Sequence, residues 1–337
     1  SEQAVAELNI DWRRPLRAES IDAEQQIVTL SDGQRLQFEQ LLIATGGRPR
    51  LPGAAWAQHP RVMTLRSWDD AARLRQGLQG CRRLAIVGGG WIGLEIAASA
   101  RRLGAEVTVF ERQPALCMRS VGADVSQALL ELHRRQGVTV LCGCGEISLE
   151  DRDGAAWIGS EVSDPQAFDL VVVGIGVELN LELARSAGLA IESGIVVDGQ
   201  GRTSHPAIFA AGDVARHPTL GLCLQSWAYA QNQAISTACA MLDAFAAPYD
   251  DVAWLWSDQY DANIQILGVP SGGVHHVVRR TPQSQVFFTL NADRQLVQMV
   301  AFNDARTIKL GKRWLASGRV LDPQQLTDAE FSLMALK

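Results

Sequence analysis

The chain has 337 residues, a formal net charge of −6, and 47% hydrophobic against 20% charged residues. This composition is ordinary for a folded globular protein, and a chain of this length predicts two or three domains. The acidic balance argues against a general nucleic-acid surface, which needs clustered positive charge. No apolar run reaches the roughly 18 residues of a membrane span. The polar start Ser1-Glu2-Gln3 does not resemble a signal peptide, so we expect a soluble, cytoplasmic protein.

The cysteines and histidines lack the spacing of a metal site or a C-x-x-C dithiol. Cys142 and Cys144 are the one close pair, but no third or fourth ligand accompanies them, and buried reduced thiols are favoured over redox or metal chemistry. The adjacent His275 and His276 would point to opposite sides of a strand. No ligand spacing relates the other histidines, which are His59, His133, His205 and His217. We therefore predict no metal site.

The N-terminal segment predicts a β-hairpin. Residues 26–30 and 35–38 flank an Asp32-Gly33 turn with alternating apolar positions. Residues 41–44 follow as a short buried strand that ends at Thr45-Gly46-Gly47. Residues 51–60, bounded by prolines, are expected to form a connector.

Residues 84–173 alternate strands and helices. An apolar strand over 84–87 runs into three glycines, a helix is predicted over 92–103, and a second strand over 106–110 ends at Glu111. A helix over 124–136 and strands over 138–141 and 170–173 continue the pattern. This alternation is typical of a parallel, doubly wound sheet.

The glycines carry the chemistry of this segment. A G-x-G-x-x-G pattern is weak alone, but here it follows a strand and opens a helix, which favours a dinucleotide site over a turn without a ligand. Gly88 permits the tight turn, Gly90 lets the backbone approach a pyrophosphate, and Gly93 lets helix and strand pack closely. The helix N-terminus, with Ile92, supplies N–H groups and a favourable dipole.

Two carboxylates belong to this site. Glu111 can accept hydrogen bonds from the adenosine ribose and repel the 2′-phosphate of NADP, which favours NADH. Arg112 beside it could pair with that phosphate or be a solvated charge. Glu95 is placed in the first helical turn, either as a simple N-terminal charge or as a contact to the nicotinamide end.

After residue 201 the pattern changes twice. A strand over 208–210 ends in Gly212-Asp213, and a helix is predicted over 225–242. The strands then predicted are 253–256, 264–267, 274–278, 286–290 and 296–302, followed by a helix over 304–316, which indicates an α+β domain. One face of this helix carries a positive stripe, which could dock an acidic ferredoxin or be merely solvated: Arg306, Lys309, Lys312 and Arg313.

In this order, the segments resemble the FAD-dependent pyridine-nucleotide oxidoreductases, and within them the ferredoxin reductases of aromatic-ring dioxygenases and putidaredoxin reductase. The motifs that carry the resemblance are residues 42–50, 86–95, 173–177, 212–213, 226–227, 230–233 and 256–259. Gln225 departs from the acid that close relatives tend to have. The resemblance also implies that the chain begins after the family's first FAD-binding unit, so we expect an N-terminally incomplete chain that lacks the main cradle of the FAD pyrophosphate.

The resemblance implies an α/β fold with two Rossmann-like dinucleotide-binding domains and an α+β C-terminal domain. The implied segments are 1–81 and 201–250 for FAD, 82–200 for NAD and 251–337 for the interface domain. The implied FAD residues are Thr45, Gly46, Arg48, Gly212, Asp213, Trp227 and Ser257. The implied NAD residues are Gly88, Gly90, Ile92, Gly93, Glu95, Glu111, Gly174, Ile175 and Gly176. Within these sets, Asp213 would bind the flavin ribityl chain.

The implied function is hydride transfer from NADH to FAD, followed by single-electron transfer to a [2Fe–2S] ferredoxin, of Rieske type, in an aromatic-ring-hydroxylating dioxygenase system. The implied catalytic residues are Glu95, near the nicotinamide, and Trp227, beside the isoalloxazine. Three alternatives stay open: a non-catalytic fragment that binds NAD, a flavin NADH oxidase, and a flavin disulfide reductase. The cysteines present do not supply the dithiol that the last of these needs.

Overall fold

The structure is a computed structural model that describes residues 2–336, without the side chains of Glu2 and Ala4. Ser1 of the polar start considered above thus lies outside the described residues. The chain forms two compact units. The first unit comprises the chain up to Gly47 and Leu179–Asp251, and the second comprises Arg48–Glu178 and the chain from Val252 onward. The four-segment division inferred from the sequence stays a prediction about domains.

The helices are α1 Glu2–Glu7, α2 Ala54–Gln58, α3 Trp68–Gly77, α4 Trp91–Arg102, α5 Ala123–Arg135, α6 Glu182–Ser186, α7 Trp227–Leu242, α8 Ala305–Ser317 and α9 Pro323–Thr327. The first strands are β1 Ala18–Asp22, β2 Ile27–Leu30, β3 Arg35–Gln37, β4 Leu41–Ile43, β5 Gly47–Pro49, β6 Val62–Met63, β7 Arg83–Val87, β8 Glu106–Glu111, β9 Thr139–Cys142, β10 Ile147–Arg152 and β11 Ala155–Ser160. The others are β12 Ser163–Phe168, β13 Leu170–Val173, β14 Val177–Leu179, β15 Ile195–Val196, β16 Ile208–Ala210, β17 Ala215–Arg216, β18 Trp254–Gln259, β19 Ala262–Gly268, β20 His275–Arg280, β21 Gln285–Leu290 and β22 Leu296–Phe302. A 3-10 turn covers Gly212–Val214.

The first unit contains the predicted hairpin and a short parallel pair of strands. β2 pairs antiparallel with β3, with Ile27 opposite Gln37, which confirms the hairpin, and β1 adds a third strand. β4 lies parallel to β16, with Ile43 opposite Ala210. Because parallel strands end at the same sheet edge, the turns that follow β4 and β16 emerge side by side.

The second unit is built on a five-stranded parallel sheet with the order β6-β13-β7-β8-β9. β13 is buried along its whole length and β7 at every position after Arg83, as expected of a parallel sheet covered on both faces, and the doubly wound prediction for this segment is confirmed. The predicted connector was wrong in part, because residues 54–58 form α2. The antiparallel sheet β10-β11-β12 was missed, since β10 and β12 are largely polar and partly exposed.

The C-terminal part of the second unit is a five-stranded antiparallel sheet, ordered β18-β19-β22-β21-β20, against which α8 packs. This confirms the α+β prediction. Asp304 caps α8 at its start, and Gly318, with φ of 60°, ends it in a left-handed conformation. β18 extends beyond the predicted end at residue 256 and thereby takes Ser257 and Gln259 into the sheet. The helices formed by residues 2–336 are all too short or too polar to span a bilayer.

Candidate functional site

The glycine loop between β7 and α4 is sterically closed at two of its three motif positions. Gly88 has φ of +110°, and a Cβ there would lie 2.4 Å from the carbonyl oxygen of Gly174. A Cβ at Gly93 would lie 2.3 Å from the carbonyl oxygen of Gly88. Gly90 differs, because a Cβ there would meet nothing within 4 Å. The fold therefore requires glycine at the first and third positions, whereas the second faces open space.

The end of β13 lies beside this loop. β7 and β13 are neighbouring parallel strands, and the N–H of Gly174 donates to the carbonyl of Val87 at 2.8 Å. Gly176 has φ of +113°, so this turn too depends on glycine. At the same edge, Gly90 is the N-cap of α4 and makes no side-chain capping bond, so the first N–H groups of the helix receive none from a cap. Glycines, helix N–H groups and open space together fit a dinucleotide pyrophosphate.

Glu111 ends β8 and holds the glycine loop. Its Oε2 accepts from the N–H of Gly89 at 2.6 Å, and its Oε1 accepts from the N–H of Gln113 at 2.7 Å. The side chain of its neighbour Arg112 is exposed. A carboxylate oxygen can accept more than one hydrogen bond, so both anchored oxygens keep capacity for a ribose hydroxyl.

A loop that the sequence analysis did not single out folds back onto the glycines. The N–H of Cys117 donates to the carbonyl of Gly89 at 3.0 Å, and Leu116 is fully buried beside it. The guanidinium of Arg119 lies 3.3 Å from where a Cβ on Gly176 would stand. Arg119 thus brings positive charge to the glycine edge, by which we mean the turns that contain Gly88, Gly90, Gly174 and Gly176. An isolated arginine in an irregular loop carries no sequence signal of that role.

Glu95 does not lie in the first helical turn, and that prediction was wrong. α4 begins at Trp91, which makes Glu95 the fifth helical residue, and dipole stabilisation falls off within the first turn. Burial raises the pKa of the Glu95 carboxyl, the hydroxyl of Ser257 opposes that rise by donating to Oε1 at 2.6 Å, and the nearby Asp258 adds to it. The pKa of the Glu95 carboxyl therefore depends on burial and on one strong hydrogen-bond donor rather than on the helix terminus.

The residues assigned to FAD are divided between the two units. In the first unit, the N–H of Gly212 donates to Oε1 of the buried Gln233 at 2.7 Å, which ties the turn after β16 to α7. The neighbouring turn is closed by Thr45, whose hydroxyl donates to the carbonyl of Asn180 at 2.7 Å. Because β4 and β16 are parallel, Thr45-Gly46 and Gly212-Asp213 lie at one edge, where ligands bind in open α/β sheets.

The remaining FAD candidates differ in exposure. Trp227 is the first residue of α7, directly after the N-cap Ser226, and is 66% exposed. In the second unit, Arg48 forms an ion pair with Glu178 at 2.7 Å, and Ser257 is completely buried. The hydroxyl of Ser257 is already engaged, since it both receives and donates a hydrogen bond.

The positive stripe on α8 is exposed over its whole length, whereas Ile308, Leu310 and Trp314 on the same helix are buried. Lys312 also lies 5.5 Å from the ring centroid of Trp254. The structure thus presents the stripe to solvent, as docking requires.

No cluster of three or more potential metal ligands occurs among residues 2–336. The six thiols are free. Burial raises the pKa of both Cys142 and Cys144, which disfavours the reactive thiolate form.

Comparison with known proteins places the chain in a family. A family model described as pyridine nucleotide-disulphide oxidoreductase matches residues 3–234. The chain belongs to this family. A second model, described as reductase C-terminal, matches residues 254–337. The described residues of that range form the α+β part of the second unit.

Two curated relatives are components of dioxygenase systems. The chain is 40% identical over 331 residues to the ferredoxin–NAD(+) reductase component of the anthranilate 1,2-dioxygenase system of Burkholderia cepacia, with 96% of this chain and 81% of the relative covered. It is 37% identical over 316 residues to the corresponding component of the p-cumate 2,3-dioxygenase system of Pseudomonas putida, covering 93% and 77%. Among solved structures, the covalent putidaredoxin reductase–putidaredoxin complex matches with a TM-score of 0.92 and 31% identity, over 100% of this chain and 83% of that one.

Proposed function

We propose that this chain is an NADH-dependent flavoprotein reductase that delivers electrons to a [2Fe–2S] ferredoxin, of Rieske type, in an aromatic-ring-hydroxylating dioxygenase system. The observation that carries the proposal is the glycine edge of the second unit, with Glu111 at its side, in a chain whose relatives are ferredoxin reductases. Bound FAD would supply the conversion between the two-electron donor NADH and a one-electron partner.

The NAD residues divide the work of binding. Gly88 and Gly93 shape the loop, Gly90 leaves room for the pyrophosphate, and Ile92 lies in the first turn of the helix whose N–H groups face it. Gly174, Ile175 and Gly176 form the neighbouring wall of the same edge. Glu111 would select the ribose hydroxyls of NADH.

The FAD residues of the first unit fit part of a nucleotide site, because two glycine turns share one sheet edge and Asp213 adds a half-exposed carboxylate. We assign Asp213 to ribityl hydroxyls, with Thr45, Gly46 and Gly212 shaping the edge. Trp227 offers an exposed aromatic face for a flat ring system. Arg48 and Ser257 are assigned to FAD by the resemblance alone, because Arg48 is paired with Glu178 and Ser257 is completely buried. Glu95 and Trp227 are the proposed catalytic residues, with Glu95 assigned to the nicotinamide and Trp227 to the isoalloxazine.

Segments 1–81 and 201–250 are proposed as the FAD-binding domain, 82–200 as the NAD-binding domain and 251–337 as the interface domain. We also propose a cytoplasmic location. It is supported by six unpaired cysteines, since oxidising compartments favour disulfides.

The direct test is to purify the chain, record its flavin absorbance, and follow NADH-dependent reduction of ferricyanide and of a dioxygenase ferredoxin. A yellow protein that reduces both acceptors supports the proposal. A colourless protein that binds NADH but reduces neither would instead support a NAD-binding fragment.

Glu111→Gln is expected to reduce the preference for NADH over NADPH by about tenfold or more, equivalent to roughly 1.4 kcal/mol. The amide keeps an acceptor for the N–H of Gly89 but removes the charge that repels a 2′-phosphate. Dissociation constants for both nucleotides, measured by fluorescence titration, give the ratio. The matched control is Glu106→Gln, at the opposite end of the same strand with an exposed side chain, which should leave the ratio unchanged.

Lys309→Glu with Arg313→Glu is expected to slow association with an acidic ferredoxin by about tenfold at low salt and to flatten its salt dependence. Both side chains are exposed on the α8 stripe. The control is Arg75→Glu with Arg82→Glu, which makes the same charge change on exposed arginines outside the stripe. Equal effects of the two pairs, or no effect of the first, would remove α8 as the docking surface.

A further inference from the structure

A chain of four hydrogen bonds runs through the second unit and ends at Glu95. Tyr260 contacts Nδ1 of His133 through its hydroxyl at 3.0 Å, and Nε2 of His133 lies 2.8 Å from Oε1 of Gln259. The Nε2 of Gln259 donates to the hydroxyl of Ser257 at 3.0 Å, and that hydroxyl donates to Oε1 of Glu95 at 2.6 Å. The two parts of the chain that the two family models match separately are thus joined through side chains.

The middle of this hydrogen-bond chain is closed to water. Ser257, Gln259 and His133 are each 0% exposed, while Glu95 and Tyr260 at the two ends are half-buried. Buried polar groups are costly unless bonded, and each of the three buried side chains has a partner on both sides. Ser257 and Gln259 are two residues apart on β18 and therefore point to the same face of the strand.

The hydrogen-bond chain has a direction. An ionised Glu95 can only accept, so the single hydroxyl proton of Ser257 must point to it, and the Ser257 oxygen then accepts from the amide of Gln259. The amide oxygen of Gln259 is left to accept from Nε2–H of His133, whose Nδ1 accepts from Tyr260. Running the chain in reverse would require a proton on Glu95.

We propose that Ser257, Gln259, His133 and Tyr260 form a positioning relay that holds the carboxylate of Glu95 as the last acceptor of a one-way hydrogen-bond chain. None of the four acts on NADH itself, and the inference rests on the proposed function only for what Glu95 does there. Burial lowers the pKa of His133, which favours the neutral imidazole. The charged groups near the ends are Asp258 beside Glu95, and Arg101 and Arg102 beside Tyr260.

The first test needs no cofactor. In ¹⁵N-histidine NMR spectra of the purified chain at about pH 7, His133, assigned by its loss in His133→Asn, should be neutral with the proton on Nε2. The opposite tautomer, or an imidazolium, would overturn the proposed direction. Tyr260→Phe, which removes only a half-buried hydroxyl, should shift the Nδ1 resonance of His133 and leave the proton on Nε2; an unchanged Nδ1 resonance would break the outer link.

The second test uses pH. Because Ser257 donates to the carboxylate form of Glu95, Ser257→Ala should raise the pKa of Glu95 further. It should therefore lower the urea midpoint more at about pH 7 than at about pH 5, since the ionised form loses its donor. Gln298→Met is the matched control: Gln298 is 2% exposed and its amide donates to the carbonyl of Ser120 at 2.8 Å, also between the C-terminal part and residues 48–178. The control should lower the midpoint equally at both pH values. A pH-independent effect of Ser257→Ala would mean that Ser257 contributes only ordinary packing, and it would refute the relay.

The third test links the relay to the nucleotide. Ser257→Ala should weaken NADH binding about tenfold, the worth of one hydrogen bond to a charged group, whereas Gln298→Met should not. Equal affinity for NADH in Ser257→Ala and the parent chain would refute a positioning role toward the nucleotide. If the parent chain itself failed to bind NADH, the proposed function would be refuted. The relay would still be tested independently by the tautomer of His133 and by the pH dependence of unfolding.

Discussion

Gly90→Ala is expected to abolish tight NADH binding, with a loss of about 100-fold or more, while the free energy of unfolding stays within about 0.5 kcal/mol of the parent. A Cβ at this position meets nothing within 4 Å, and φ of −86° suits any residue, so the substitution should leave the fold and its stability unchanged. The new methyl group would stand where the pyrophosphate approaches the backbone. Isothermal titration with NADH and urea unfolding measure the two quantities.

Gly93→Ala is the contrasting variant in the same motif. Its Cβ would overlap the carbonyl oxygen of Gly88 at 2.3 Å and approach Cγ2 of Ile86 at 3.1 Å. Backbone must move to admit it, so we expect a loss of about 1–3 kcal/mol in the free energy of unfolding together with the loss of NADH binding. The assignment of Gly90 to the ligand would be refuted if Gly90→Ala bound NADH normally or lost as much stability as Gly93→Ala.

Trp227→Ala is expected to lower kcat/KM for NADH-dependent ferricyanide reduction by about 100-fold, because misplacement of reacting groups by about 1 Å has effects of this size. The side chain is 66% exposed at the first position of α7, so little core packing is lost and stability should change by less than about 0.5 kcal/mol. Steady-state kinetics and thermal unfolding measure both.

Trp68 supplies an unusually close control for that variant. It is also the first residue of a helix, also follows a serine N-cap, Ser67, and is 88% exposed. Trp68→Ala should change neither kcat/KM nor stability. Similar losses of activity in the two variants would mean that Trp227 acts through general effects of an exposed tryptophan rather than at a cofactor.

Local sequence was sufficient for most of the fold. The strands and helices from β7 to β9, the hairpin of β2 and β3, and the sheet from β18 to β22 follow hydrophobic periodicity and turn residues, and their bounds agree within a few residues. The short helix α2 and the polar strands β10 and β12 were missed because they carry little periodic apolar signal. Their conformation depends on the elements that they pack against.

The candidate site shows the same division. The glycine loop could be read from the sequence because its requirements are local: Gly88 needs a positive φ, and Gly93 lies five residues from the carbonyl that excludes a side chain. The placement of Glu95 was misjudged by one residue: a helix start at residue 92 makes it the fourth helical residue, whereas the helix begins at Trp91 and makes it the fifth. That one position matters because the dipole effect falls off within the first turn.

The sequence by itself determined that this protein has a dinucleotide loop, a parallel sheet around it and an α+β C-terminal part, because each follows from residues close together in the chain. Only the tertiary structure decided that His133, which sequence spacing left without a role, meets Gln259 across 126 positions, and that Ser257 meets Glu95 across 162. Such pairs depend on how separate elements pack against one another, and no local pattern encodes that.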